Sequence, residues 1–269
     1  MQAASLIGKH LGYAPLTRLV PDIEIEDSRY VVRLAKTVAE IESALKLRFE
    51  VFNLELGEGL ESSFRTGRDR DEFDDTCDHL IVTEKTTNKT IGTYRLRTLE
   101  MARTASGFYS AGEFHLNCLP LEVLTHGLEL GRACIARAHR DRHVLFLLWK
   151  ALARYVAVHH KRFLFGCCSL ASQDPNEGNQ LLKQLSAAGH MHPSFWAPAK
   201  PGYECLPNGS SAVDVKIPKL FRTYLSIGAQ VCGPPAIDRQ FKTIDFLVMF
   251  DIRQMSARTR KLFDLSNMI

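Results

Sequence analysis

The feature that most constrains this chain is a strand, a basic turn and a helix that follow one another between residues 128 and 158. Leu128–Ile135 alternates apolar and polar residues, which predicts a strand, and Val144–Val158 places apolar residues at helical spacing. A second apolar run, Phe163–Leu170, has the composition of a buried strand. Because a helix separates these two strands, we predict that they are parallel neighbours in one sheet, joined by a right-handed crossover.

The remaining elements mix hairpins with helices. Tyr30–Ala35 predicts a first strand, and Thr37 begins a T-x-x-E pattern typical of a helix capping box. His79–Glu84 and Thr90–Leu99 flank a short polar turn and predict an antiparallel hairpin, while Thr243–Asp251 predicts a closing strand. The predicted fold class is therefore α/β, with a mixed sheet of antiparallel and parallel strands.

Composition is that of an ordinary globular enzyme. Hydrophobic residues make up 45% and charged residues 24% of the 269 residues, and the net charge is +4, so we expect no nucleic-acid partner. Seven cysteines without a CxxC pair favour a reducing compartment and a cytoplasmic location. We expect no signal peptide, and no window approaches the roughly 18 apolar residues of a membrane span.

The chain divides into three expected parts. Residues 1–30 mix glycine, proline and charge without a clear period and predict an N-terminal leader. Residues 31–252 form the predicted catalytic domain, and residues 253–269 form a basic tail with Arg258, Arg260 and Lys261. Clustered basic residues attract anionic lipids, which gives the hypothesis that this tail contacts the inner membrane surface.

The basic turn is a candidate site for a phosphate-bearing ligand. A helix N-terminus offers unpaired backbone N–H groups and the positive end of the helix dipole. The basic side chains just before the predicted helix are Arg137, Arg140, Arg142 and His143. A solvated basic surface is the alternative interpretation of these residues.

Several motifs, in this order and spacing, resemble the GNAT acyltransferase superfamily. Within it, the closest resemblance is to the branch that takes acyl groups from acyl carrier protein: ornithine-lipid N-acyltransferases, N-acyl amino acid synthases and, more distantly, acyl-homoserine lactone synthases. This resemblance implies a GNAT-like mixed sheet flanked by helices, with a splayed pair of parallel strands. The motifs that carry it are LRFEVF at Leu47–Phe52, DRDEFDDTCDHLIV at Asp69–Val82, GTYRLRTL at Gly92–Leu99, LELGRACI at Leu128–Ile135, LLWKALARY at Leu147–Tyr155 and FLFGCCSL at Phe163–Leu170.

The resemblance also implies an acyl-phosphopantetheine donor and no permanently bound cofactor. GNAT enzymes usually bind a pyrophosphate on a glycine-rich loop, but here Arg140 is followed by Asp141, Arg142 and His143. A nucleotide diphosphate approaches such a backbone less easily. We therefore expect acyl carrier protein, rather than free CoA, as the donor and partner, with Arg137, Arg140, Arg142 and His143 meeting the phosphate and the acidic carrier surface.

Amide formation from a thioester requires a deprotonated amine and stabilisation of the charge that develops on the carbonyl oxygen. Glu129 resembles the strand glutamate of the family and lies beside the basic turn, so it is our candidate base. A structural ion pair between Glu129 and Arg132 is the alternative. Arg132 is the second candidate catalytic residue, either holding the substrate or orienting Glu129.

A charged group is the candidate acceptor site. Its members, Arg48, Asp71, Asp74 and Arg97, match positions that form a charged cluster near the substrate amine in the related lactone synthases. Acidic and arginine side chains suit the ammonium and the carboxylate of an amino acid. A network of salt bridges that orders the loop at residues 61–78 is the alternative.

The sequence thus predicts an N-acyltransferase that moves a long-chain acyl group, with or without a 3-hydroxyl, from acyl carrier protein to the amine of an amino acid such as ornithine or glycine. The product would be an N-acyl amino acid or a lyso-ornithine lipid. Acyl-homoserine lactone synthesis and a non-catalytic module that binds acyl carrier or lipid are the alternatives. No His and Cys spacing matches a known zinc pattern, so we predict no metal site.

Overall fold

One mixed sheet dominates the computed structural model, which describes residues 21–209, 214–257 and 260. Nine strands form it within these residues: β1 Glu24–Glu26, β2 Tyr30–Leu34, β3 Asp78–Glu84, β4 Lys89–Thr98, β5 Gly127–Ile135, β6 Phe163–Leu170, β7 Gln230–Val231, β8 Ala236–Asp238 and β9 Thr243–Asp251. Their order in the sheet is β1-β2-β3-β4-β5-β6-β9-β7, and β8 also pairs with β9. The predicted α/β fold class is confirmed.

The parallel pair β5–β6 divides the sheet. All other neighbours are antiparallel, whereas β5 and β6 run parallel through three residue pairs only, ending at Glu129 and Phe165. Both strands continue beyond that pair without a shared register, β5 to Ile135 and β6 to Leu170. The splayed parallel pair that the family resemblance implied is therefore present.

Six α-helices flank the sheet in the described residues: α1 Val38–Arg48, α2 Leu99–Arg103, α3 Leu121–Thr125, α4 Arg142–Val158, α5 Pro175–Ala187 and α6 Lys219–Ser226. A π-helical segment, Phe49–Glu55, extends α1 directly. The predicted capping box is present, because the Thr37 side chain accepts from the Glu40 N–H and the Glu40 carboxylate accepts from the Thr37 N–H.

The two faces of the sheet differ in chemistry. On the face covered by α4, α5 and α6, which we call the α4 face, Tyr94 and Leu96 of β4 pack into the largest apolar core. Because successive residues of a strand point to opposite sides, Arg95 and Arg97 lie on the other face, the α1 face, where α1 packs. A second apolar core on the α1 face surrounds Phe165 of β6. Polar side chains on this sheet therefore concentrate on the α1 face.

The ends of the chain are described only in part. Residues 1–20 of the expected leader lie outside the described residues, while β1 pairs with β2. In the basic tail, Arg258 and Lys261 also lie outside them, and the Arg260 N–H donates to the Ser256 carbonyl at 2.9 Å. Among the helices that the structure describes, none combines the length and the apolar character needed to cross a bilayer.

Candidate active site

A cavity of about 430 Å³ passes between β5 and β6 where these strands part. Side chains from α4 and α6 line it on the α4 face, including Trp149, Leu152, Ala153, Phe221 and Tyr224. On the α1 face its lining includes Arg95, Tyr109, Glu129, Arg132, Cys167 and Asp245. The cavity is therefore apolar on the α4 face, and its charged lining residues lie on the α1 face.

A glycine allows the two strands to stay in contact up to the point where they part. A Cβ atom placed on Gly166 of β6 would lie 2.2 Å from the carbonyl oxygen of Leu130 in β5. No side chain fits in that space, because real Cβ contacts are essentially never shorter than about 3 Å. Gly166 thus allows β6 to approach β5 next to their last registered pair.

A bulge in β5 aims Arg132 at the loop before β3. Thr93 pairs with Cys134 and Arg95 with Gly131, so β5 carries one residue more than β4 over this stretch. Arg132 lies in the bulge with a φ of 50°, in the left-handed region. Such a bulge bends the strand and redirects its side chain, and Arg132 reaches Asp69 at 3.2 Å.

Three arginines and three aspartates form a buried network on the α1 face. Each arginine contacts two of the aspartates. Arg48 contacts Asp69 at 2.7 Å and Asp74 at 2.6 Å. Arg95 contacts Asp71 at 2.6 Å and Asp74 at 3.1 Å, and Arg132 contacts Asp69 at 3.2 Å and Asp71 at 3.1 Å. The side chains of Arg48, Asp69 and Asp74 are fully buried. The formal charges of these six side chains cancel.

The network lowers the pKa of two of its carboxylates, Asp71 and Asp74. Burial raises the pKa of Asp74, but the charges of Arg48 and Arg95 outweigh burial and leave this pKa well below its ordinary value. Burial likewise acts to raise the pKa of Asp71, and Arg95 and Arg132 lower it on balance. Because these acids already have arginine partners, they are poorly placed to bind a substrate ammonium as well.

The structure brings three of the four predicted acceptor-site residues together and separates the fourth. Arg48, Asp71 and Asp74 belong to the network, whereas the Arg97 Nε donates to the Gly107 carbonyl at 2.6 Å and its Nη1 donates to Thr76 Oγ1 at 2.7 Å. Sequence reasoning missed two members of the network, Asp69 and Arg95. The two-residue spacing of Arg95 and Arg97 on one strand was a signal that Arg95 shares the face of Arg97.

Glu129 is almost fully buried at the point where the strands part. Its Oε1 accepts from the Ser110 N–H at 2.8 Å and from Ser110 Oγ at 2.6 Å, and its Oε2 accepts from the Tyr109 N–H at 2.8 Å. Burial raises the pKa of Glu129, although these hydrogen bonds from Ser110 and Tyr109 oppose it. A carboxylate offers about four lone-pair sites, so one site on Oε2 is left for an amine or a water.

The basic turn follows β5 at the end where the strands part. Asp141 caps α4 by accepting from the Val144 N–H at 2.9 Å. Arg140 pairs with Glu55 at 2.5 Å, and His143 lies 2.5 Å from Asp27, while Arg137 and Arg142 are exposed. Of the described residues, none between 137 and 143 lines the cavity.

A second acidic group, which sequence reasoning missed, lies on the α1 face. One potential ligand atom each from Glu113, Cys167 and Asp245 lies within 4.8 Å of the others, so this trio has the spacing to hold a metal ion. Burial, followed by the charge of Glu113, raises the pKa of Cys167 well above its ordinary value. Asp245 falls inside the apolar run of β9, and sequence reasoning assigned it no role.

Glu58, which also lines the cavity, should make stability depend on pH. Burial and the charge of Asp245 raise the pKa of Glu58 to about 7, from 4.5. When folding raises the pKa of an acid, ionising that acid is harder in the folded protein than in the unfolded chain. The free energy of unfolding therefore falls as pH rises from the unfolded pKa of the acid through its folded pKa. We therefore expect Glu58→Gln to raise the free energy of unfolding by about 1–3 kcal/mol at pH 8 and to change it little at pH 5.

Urea unfolding of both proteins at pH 5 and pH 8 measures this difference. The exposed residue Glu50 provides the control, since Glu50→Gln should shift the free energy of unfolding by less than about 0.5 kcal/mol at either pH. Equal effects of Glu58→Gln at the two pH values would contradict the assignment.

Comparison with known proteins identifies the family. A family model described as an acetyltransferase (GNAT) domain matches residues 47–150. An L-ornithine N(alpha)-acyltransferase of Brucella abortus is 32% identical over 247 residues, covering 84% of this chain and 86% of the relative. An L-ornithine N(alpha)-acyltransferase of Rhodobacter capsulatus is 31% identical over 248 residues, covering 87% of this chain and 94% of the relative.

A solved structure shares the fold. FeeM, an N-acyl amino acid synthase from uncultured soil microbes, matches with a TM-score of 0.50 and 11% identity, covering 84% of this chain and 94% of FeeM. The resemblance found in the sequence motifs is confirmed by these relatives, and a non-catalytic module is not supported. The chain belongs to the GNAT acyltransferase family, in the group that includes the L-ornithine N(alpha)-acyltransferases, and it is an acyltransferase.

Proposed function

We propose that this acyltransferase moves a long-chain acyl group from acyl carrier protein to the α-amine of an amino acid, with ornithine as the preferred acceptor. One observation carries the proposal: the cavity between β5 and β6 is apolar on the α4 face and carries its charged lining residues on the α1 face. An acyl chain fits the first side, and an amino acid fits the second. The names of the relatives add ornithine as the acceptor to test first.

The apolar side of the cavity suits a fatty chain. Its volume of about 430 Å³ lies within the usual range of roughly 300–1,000 Å³ for small-molecule pockets. Each buried methylene contributes about 0.8 kcal/mol to binding, so a chain of many carbons gains more than an acetyl group. Trp149, Leu152 and Phe221 supply the apolar surface.

The basic turn supports a phosphopantetheine donor carried on an acidic protein. Exposed Arg137 and Arg142 lie beyond the carboxyl end of β5, next to the N-terminus of α4. A helix N-terminus and arginine side chains both favour a phosphate. The turn has no glycine between residues 137 and 143, which suits a single phosphate better than a pyrophosphate.

The chemistry needs a base, a stabilised oxyanion and a leaving group. In our proposal Glu129 accepts the amine proton directly or through a water, using its remaining lone-pair site. An α-amino group has a pKa of about 8, so this transfer is easy near neutral pH. Backbone N–H groups of β5 beyond Gly131, where β6 has moved away, donate to the carbonyl oxygen, and the thiolate leaves.

The test incubates purified enzyme with a 3-hydroxyacyl carrier protein or with the matching acyl-CoA. Ornithine, glycine and lysine are compared as acceptors. Free thiol is measured together with the product mass. We expect an N-acyl amino acid, formed faster from the carrier protein. Absence of product from every amino acid would overturn the proposal, and product only with S-adenosylmethionine would establish lactone synthesis instead.

A further inference from the structure

We propose that the carboxylates of Glu113 and Asp245 form a subsite for the second ammonium group of a diamino-acid acceptor. Asp238 lies beside them and adds negative charge. The inference rests on the proposed function and deepens it, because it assigns the acceptor class to amino acids with a primary ammonium on the side chain. Ornithine is the acceptor of this class used in the test.

The subsite lies where the two parallel strands part. Asp245 of β9 is paired with Ser169 of β6, and Cys167 is the second residue after Phe165, the last residue of β6 in register with β5. Asp245 and Cys167 both line the cavity, and both belong to the α1 face. An amino acid in this side of the cavity therefore meets Asp245, and a carboxylate oxygen of Glu113 lies behind it, within 4.8 Å.

Two buried oxygen atoms in this group lack a donor. Glu113 is 4% exposed and Asp245 is 3% exposed, and no other residue donates to Glu113 Oε2 or Asp245 Oδ1, while the two acidic side chains contact each other. Buried carboxylate oxygens without donors are costly and rare in native proteins. A primary ammonium has three N–H donors and a positive charge, so it would satisfy both atoms at once.

Among the described residues, the cation whose charge acts on Glu113 and Asp245 is Arg132, and its guanidinium is already paired with Asp69 and Asp71. Burial raises the pKa of Glu113 well above its ordinary value, and the negative charges of Asp245 and Asp238 raise it further. Mutual repulsion of this kind is what a bound cation would relieve.

Tyr109 connects the subsite to the candidate base. Its backbone N–H donates to Glu129 Oε2 at 2.8 Å, and its hydroxyl donates to Asp238 Oδ2 at 3.1 Å. Glu129 and Asp238 are thus linked through one tyrosine. Glu129 and Asp245 both line the cavity, so in our proposal the α-amine of the acceptor meets Glu129 and its second ammonium meets Asp245.

A metal ion is the competing occupant of this group. Metal binding would recruit Cys167 as a third ligand, in its thiolate form, whereas an ammonium needs only the carboxylates. The proposed acceptor carries this ammonium, so we assign the subsite to it, and metal binding becomes an outcome of the test.

The test compares ornithine with norvaline, which has the same carbon chain without the second amine. We expect the wild-type enzyme to prefer ornithine by about 10- to 100-fold in kcat/KM, the discrimination that charged hydrogen bonds usually give. Asp245→Asn and Glu113→Gln should each remove most of that preference by raising KM for ornithine, with a much smaller change for norvaline. Asp251→Asn is the control, on the same strand but paired with Arg162 at 2.7 Å, and should keep the preference.

Thermal shift with each amino acid and no donor separates this inference from the proposed function. Stabilisation of the wild-type protein, but not of Asp245→Asn, by ornithine supports the subsite even if no amino acid is acylated. Equal use of ornithine and norvaline by the wild type overturns the subsite and leaves the acyl transfer standing. Stoichiometric Zn²⁺ binding that Asp245→Asn abolishes, without an ornithine effect, also overturns it.

Discussion

Asp74→Asn is expected to lower the free energy of unfolding by about 3–5 kcal/mol, the usual cost of removing one partner from a buried ion pair. The Asp74 side chain is fully buried and contacts Arg48 at 2.6 Å and Arg95 at 3.1 Å. It also accepts from the Asp71 N–H at 2.9 Å. Asparagine keeps the shape but removes the charge, so two buried guanidinium groups lose a counter-charge.

Urea unfolding measures this loss, and the neighbouring residue provides the control. Asp75 is exposed and pairs with Arg70 at 2.8 Å, so Asp75→Asn should cost less than about 1 kcal/mol. An effect of Asp74→Asn as small as that of Asp75→Asn would show that the network does not stabilise the fold.

The same prediction has a pH signature. Folding lowers the pKa of Asp74 below its ordinary value, despite burial, because of Arg48 and Arg95. A group of this kind contributes stability above its unfolded pKa, about 3.9 for an aspartate, and loses it as pH falls toward the folded pKa. The stability difference between wild type and Asp74→Asn should therefore be constant near neutral pH and shrink below about pH 4.

Glu129→Gln is expected to reduce acyl transfer by about 10²- to 10⁴-fold, the usual contribution of a general base. Glutamine can still accept from Ser110 but cannot take the amine proton. Thiol release from acyl carrier protein in the presence of ornithine measures the loss in kcat. Unchanged transfer would contradict the assignment of Glu129 as the base.

Two further variants separate a catalytic role from a structural one. Ser110→Ala removes the Oγ donor to Glu129 at 2.6 Å and leaves the two backbone donors. That donor lowers the pKa of Glu129, so its loss should raise this pKa. The pH at which kcat increases should therefore shift upward, and the variant should keep most of its activity. Glu122→Gln, at an exposed residue paired with Arg162 at 3.0 Å, should leave the activity unchanged.

The parts of the fold that local pattern specifies were predictable. Apolar residues with the period of a helix or a strand define α4, β6 and β9, and the predicted bounds of β6 and β9 agree with the structure. The order of strand, helix and strand was enough to predict parallel pairing of β5 and β6.

The parts of the site that depend on long-range contacts were not predictable. The bulge at Arg132 follows from the register of β4 against β5, which no local pattern encodes. Asp245 and Glu113 are 132 positions apart in the sequence, and their proximity follows from the placement of β9 beside β6. Family resemblance pointed to Asp71 and Asp74 but could not show that arginines already neutralise them.

A cavity that crosses the sheet allows two specificities to vary separately. On the α4 face, Leu152 and Ala153 would contact an acyl chain, whereas Asp245 on the α1 face would contact an acceptor. The residues that would contact the acyl chain and the residue that would contact the acceptor are different, and the strand backbones lie between them. Selection can therefore lengthen or shorten the lipid tail without altering the head group, so one scaffold can yield a range of lipids by substitutions on a single side.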